Sequence, residues 1–182
     1  MKYLTCACAA ALLLAGCGNL ANVRAYSTPY GEPQSGDTAR LRVITNGMLR
    51  AVPGRDCIDW RSPGAGVMAV TQSGFANRNN QVLGMPPGTI EVHAQGDSVA
   101  RTELKIPAGK PTAFNFQSEG SVSGGYRYSC QQSFRFTPEA GKDYQLIVLE
   151  GGQCQLNLQT LGGGESQVAL QKASLCNAAD AF

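Results

Sequence analysis

The chain has 182 residues, 15 Lys and Arg against 13 Asp and Glu, and a formal net charge of +2. No basic run or stripe stands out, which argues against nucleic acid as a partner. Charged residues make up 15% while glycines number 22, a balance that suits strands and turns and disfavours long solvated helices.

The first element is a signal. Met1 and Lys2 give a positive start, and an apolar run follows from Leu4 to Ala15, broken by Thr5, Cys6 and Cys8. That order is the one an export signal uses. At about a dozen residues the run is too short for a spanning helix, which needs roughly 20. It ends in Leu14-Ala15-Gly16-Cys17. This quartet resembles the lipobox of bacterial lipoproteins at all four positions.

The resemblance implies removal of residues 1–16, Cys6 and Cys8 among them. It further implies a diacylglycerol thioether on Cys17 and acylation of its new amino group. Two or three acyl chains make an anchor stable where one gives marginal binding. Gly18, not an aspartate, follows the cysteine. In the family's sorting logic this implies the outer membrane, with the domain facing the periplasm or the cell surface.

Residues 17–38 read as the lipidated cysteine and a tether, because "GNLANVRAYSTPYGEPQSGDT" is rich in Pro, Gly, Ser and Asn and lacks an apolar period. The folded domain is expected over 39–182. "RLRVIT" alternates, with Leu41, Val43 and Thr45 on one face and Arg40 and Arg42 on the other. Asn46-Gly47 then precedes "MLRAV", which predicts a hairpin, since both turn positions favour these residues.

"PGRDCIDWRSPGAG" reads as a loop, "GVMAVT" (66–71) as a strand and "SGFANRNNQVLGMPPG" as a long Asn-rich loop. "TIEVHA" (89–94) alternates. "SVARTELKIPAG" continues as a strand with Arg101, Glu103 and Lys105 turned away from Thr102, Leu104 and Ile106. "TAFNFQ" (112–117) sets Phe114 and Phe116 on one face. "SEGSVSGG" reads as a flexible loop and "YRYSCQQSFRF" (126–136) as one long aromatic strand.

"TPEAGK" turns at Pro138. "DYQLIVLE" (143–150) is the most apolar strand and is expected to be central, and "CQLNLQT" (154–160) points Leu156 and Leu158 at the core. The tail "QVALQKASLCNAADAF" fits a strand or a short helix. Together these predict an all-β fold, an antiparallel sandwich of about eight or nine strands, immunoglobulin-like or transthyretin-like and tied by disulfides. "LGMPPGTIEVHA…ELKIPAGK" and "FRFTPEAGKDYQLIV" also resemble PEGA-like β modules of bacterial envelope lipoproteins, over roughly residues 84–150. That resemblance implies Pro-Gly or Ala-Gly turns leading into the strands of a small sandwich.

Cys57, Cys130, Cys154 and Cys176 follow the anchor. Export and an even count suggest two disulfides. If the strands near 130, 143–150 and 154–160 form a meander, Cys130 and Cys154 meet at one end, flanking the central strand. Cys57 then pairs with Cys176. The pairings 57–130 with 154–176, and 57–154 with 130–176, remain open. No cysteine spacing matches a zinc or redox motif, so neither a metal nor another cofactor is expected.

Catalytic motifs are missing from the sequence. There is no Gly-x-Ser-x-Gly and no Ser-x-x-Lys, and the one histidine, His93, is expected on the exposed face of a strand. Asp56 and Asp59 flank Cys57. Paired carboxylates serve glycan hydrolysis when set at suitable separation, although Arg55 and Arg61 beside them also suit a solvated loop. Trp60, the single tryptophan, lies in "DCIDWR" with Asp59 and Arg61. Trp, Tyr and Arg dominate binding hot spots, so this loop and Tyr126 and Tyr128 of "YRY" are candidate partner-binding residues, with packing on the sandwich as the competing role for Trp60.

The expected function is a non-catalytic lipoprotein of the outer membrane, held to the membrane by its lipid and binding another envelope protein or supporting an assembly. The alternatives are a lipid-anchored glycan hydrolase using Asp56 and Asp59, and an inhibitor or immunity protein against an envelope-active enzyme.

Overall fold

Alternating apolar residues give each strand one face to bury, and eleven strands form among the described residues. The structure is a computed structural model and describes residues 25–88, 90, 92, 99–164 and 166–177. The strands are β1 (Thr38–Thr45), β2 (Gly47–Val52), β3 (Gly66–Ala69), β4 (Ala100–Pro107), β5 (Thr112–Ser118), β6 (Ser121–Ser123), β7 (Tyr126–Tyr128), β8 (Gln131–Phe136), β9 (Asp143–Glu150), β10 (Cys154–Leu161) and β11 (Gln171–Lys172). A four-stranded sheet runs β10-β9-β1-β4, and a five-stranded sheet runs β11-β8-β5-β2-β3. Their inner faces share one core. Leu41, Val43, Leu104, Leu146 and Leu158 meet Leu49, Ala51, Phe114, Phe116 and Phe134. Phe136 of β8 meets Tyr144 of β9 edge-on across the layers, with ring centres 5.2 Å apart.

The expected all-β, disulfide-tied sandwich is present, with one difference in strand direction. The five-stranded sheet is antiparallel throughout. The other sheet is mixed, because β1 pairs with β9 in parallel, Leu41 opposite Tyr144. β9 lies inside its sheet, as its apolar run requires.

The Asn46-Gly47 hairpin does not form. β1 pairs with β4 and β9, and β2 pairs with β3 and β5, so the chain changes sheets at Asn46. Asn46 is used as a clasp: its Nδ2 donates to Glu150 O at 2.6 Å, and Glu150 N donates to its Oδ1 at 2.9 Å. Gly47 is present for close approach. A Cβ there would stand 2.5 Å from Gln117 O and 2.9 Å from Ser118 Cα.

Two further differences concern segment limits. Packing already begins inside the stretch read as a tether. Ala25 and Tyr30 are buried, and Tyr30 N donates to Val67 O while Val67 N donates to Thr28 O. The aromatic stretch 126–136 is two elements: β7 pairs with β6 as an exposed ribbon, and β8 joins the large sheet. The strand expected at 89–94, His93 included, lies largely outside the described residues, as do Cys17 and the rest of the lipobox. Among the described residues of the tail, the short strand β11 forms and no helix does.

Loop 78–88 covers the outer face of the four-stranded sheet, held by two arginines of β1. Arg40 pairs with Asp143 through Nε at 2.6 Å and Nη2 at 2.5 Å, and it also donates to Leu83 O. Arg42 pairs with Glu103 at 3.0 and 2.8 Å and donates to Met85 O. Glu103 was expected to face solvent. It does face outward, but the loop buries it, and its Oε2 accepts from Leu83 N at 2.6 Å.

The disulfides are Cys57–Cys176 and Cys130–Cys154. The pairing is the one that the meander suggested, reached by a different geometry. Cys130 directly precedes β8 and Cys154 opens β10, so the bond joins the two sheets at their ends. Residues 166–172 close that side further. Val168 N donates to Leu158 O on β10, and Gln171 and Lys172 then pair with β8.

Candidate functional site

β2 alternates like any strand, with Leu49 and Ala51 inward and Met48, Arg50 and Val52 outward. The outward residues are nonetheless buried. Two small apolar clusters cover them: Met48, Val67 and Val70 with Tyr26 and Phe75, and Val52, Ile58, Ala65, Ala113 and Ala173 with Trp60. Arg50 sits between them, 4% exposed.

The Arg50 guanidinium lies between two rings. Its central carbon is 4.2 Å from the centre of the Tyr26 ring and 4.2 Å from that of Trp60. Stacking of this kind is worth about 2 kcal/mol per ring when desolvated. Along the sheet, Arg50 Nη2 donates to Asn115 Oδ1 at 2.6 Å, and Asn115 Nδ2 donates to Ser133 Oγ at 3.0 Å. The register sets this row, because Arg50 is opposite Asn115 and Asn115 is opposite Ser133. Arg50 Nε is buried without an acceptor. Burial lowers the guanidinium's pKa from its ordinary value, with Tyr26 opposing the shift.

A groove of about 880 Å³ opens over this row. Arg50, Asn115 and Ser133 form its floor, and Trp60, Lys172 and Leu175 are among its other lining residues. None of the described lining residues is acidic. The Cys57–Cys176 bond, with Cα atoms 5.0 Å apart, supports the Trp60 side. Ile58 N donates to Ser174 O at 2.8 Å, and Cys176 N donates to Ile58 O at 3.0 Å, so the Trp60 loop and the tail act as one wall.

The sequence-level candidates divide. Trp60 both packs and lines the groove. Asp59 pairs with Arg61, Oδ1 to Nε at 3.0 Å. Burial pushes the Asp59 carboxyl up, but the hydrogen bonds from Arg61 outweigh this and hold it below its ordinary value. Asp56 pairs instead with Arg135, at 2.9 Å. Each of the two carboxylates is thus engaged by its own arginine. Tyr126 and Tyr128 stand exposed on the β6–β7 ribbon and do not line the groove.

Sequence reasoning missed Arg50, Asn115 and Tyr26. The one available signal was an arginine inside an otherwise apolar strand, "GMLRAV". Among the described residues, no group of three His, Cys, Asp or Glu side chains could hold a metal, and no helix is long and apolar enough to cross a membrane. No family model matches the chain, and no curated protein matches it in sequence.

Proposed function

We propose that the chain is a lipid-anchored, non-catalytic binding module of a bacterial envelope, tethered at Cys17 and contacting its partner through the groove beside Trp60. The Cys57–Cys176 disulfide carries this reading. Such bonds persist where the compartment is oxidising, which supports export. The same bond braces the loop that presents Trp60, which supports recognition at that wall. The lipobox supports an acylated Cys17 and the outer membrane. The resemblance of residues 84–150 to PEGA-like envelope modules fits the same setting.

The test is in-cell photo-crosslinking from position 175 on the groove rim, with position 105 on the opposite sheet as control, in wild type and Cys17→Ser. One envelope protein captured from position 175 alone, and only with the anchor present, is the expected result. Equal capture from both positions, or membrane association unchanged in Cys17→Ser, overturns the reading.

A further inference from the structure

The protein has three arginines on the outer sheet faces of β1 and β2, and they are treated differently. Arg40 has Asp143 and Arg42 has Glu103. Arg50 is the most buried of the three and has no carboxylate partner among the described residues. An arginine carries five N–H donors; Nη2 donates to Asn115 Oδ1, while Nε is buried with no acceptor among the described residues. A buried cation whose donors are left open is costly unless something completes it. The rings of Tyr26 and Trp60 each stand 4.2 Å from its central carbon, and all three side chains line the groove.

The lining narrows the chemistry. A planar guanidinium edge matches a carboxylate. Ile58, Leu170 and Leu175 offer apolar wall, while Gln132 and Gln171 offer amide partners. Lys172 adds positive charge, and no acidic side chain lines the groove among the described residues.

We propose that this groove binds a carboxylate carried on an apolar, peptide-like body, the carboxylate set against the terminal nitrogens of Arg50 and the body laid along Trp60 and Leu175. The proposal rests on the groove being the protein's recognition surface. It names the chemical class of what is recognised.

Trp60 is the only tryptophan, so its emission reports the site directly. The full chain, with both disulfides formed, is titrated with N-acetyl-leucyl-phenylalanine, with the C-terminal amide of that dipeptide and with decanoate. The free acid is expected to give a saturable change. The amide, lacking a charge-assisted bond, should bind about tenfold more weakly or worse. Decanoate should also bind more weakly, and equal or tighter binding by it overturns the peptide-like body.

Asn115→Asp supplies Arg50 with an internal carboxylate at nearly unchanged shape. It should keep or raise Tm and abolish the response to the dipeptide acid. No saturable response in wild type, equal binding of acid and amide, or wild-type binding by Asn115→Asp each overturns the assignment. The titration needs neither anchor nor cell. Its failure alongside a position-175 crosslink would remove the ligand class and leave the module, and the converse pattern would leave the site and remove its cellular role.

Discussion

Asn46 holds both backbone groups of Glu150, donating to its carbonyl at 2.6 Å and accepting from its amide at 2.9 Å. The side chain imitates a neighbouring strand at the end of β9, where the chain passes from one sheet to the other. Losing both bonds at a half-buried site costs about 1–2 kcal/mol. Asn46→Ala is therefore expected to lower the unfolding free energy by that amount, read as a lower urea midpoint with an unchanged m-value. Gly47→Ala should be worse, about 2–3 kcal/mol, because the new methyl meets backbone atoms of β5. An unaffected Gly47→Ala would show that the crossing is not tight.

Acid should weaken the hold on loop 78–88. Burial raises the Glu103 carboxyl, but the bonds from Arg42, Leu83 and Met85 outweigh it, so its folded pKa lies below the ordinary 4.5. The unfolded chain then binds the proton more readily. This contribution is complete above about pH 4.5 and is lost as pH falls through the folded value. Glu103→Gln should flatten that part of the stability-versus-pH curve, measured by denaturation from pH 7 to 3. Glu103→Ala leaves the half-buried Arg42 without its carboxylate partner and should cost about 1–3 kcal/mol.

The two disulfides close loops of different length, 119 and 24 residues apart in sequence. Chain entropy gives about 5 kcal/mol for the longer and about 3 for the shorter. Cys57→Ser with Cys176→Ser should lower Tm more than Cys130→Ser with Cys154→Ser. Only the first pair should also shift Trp60 emission to the red, since it frees the wall that Trp60 belongs to. Equal emission from both double variants would separate Trp60 from the bond.

Tyr126 is 72% exposed and Tyr128 39%, whereas Trp60 packs on Arg50. Tyr126→Ser and Tyr128→Ser should each change stability by less than about 0.5 kcal/mol. Trp60→Ala should cost about 3 kcal/mol. Calorimetry of the three variants checks this, and a large loss at either tyrosine would mean that the ribbon is part of the packed body.

Strand spans were legible where alternation was strong. β9 begins and ends where its apolar run does, and β1 separates Leu41 and Val43 from Arg40 and Arg42 as its period requires. The partners of those strands were less legible. Asn-Gly favours a hairpin only if both flanking strands lie in one sheet, and the clash around Gly47 comes from β5, far along the sequence. Arg50 escaped notice for a related reason. An arginine on the outward face of a strand reads as solvated, and its burial depends on Tyr26 and Trp60, which arrive from separate segments outside the sheets. Trp60 was legible as both anchor and packing residue because a lone tryptophan between charges serves either role, and here it serves both.

β1 occupies the interior of its sheet, yet the residues that pair with it are made much later. Arg42 waits 61 positions for Glu103, and Arg40 waits 103 for Asp143. Closing such distances costs entropy before any contact repays it. A chain emerging amino end first can therefore pair β1 with β4 once residue 107 is out, but the other edge of β1 stays open until β9 has appeared.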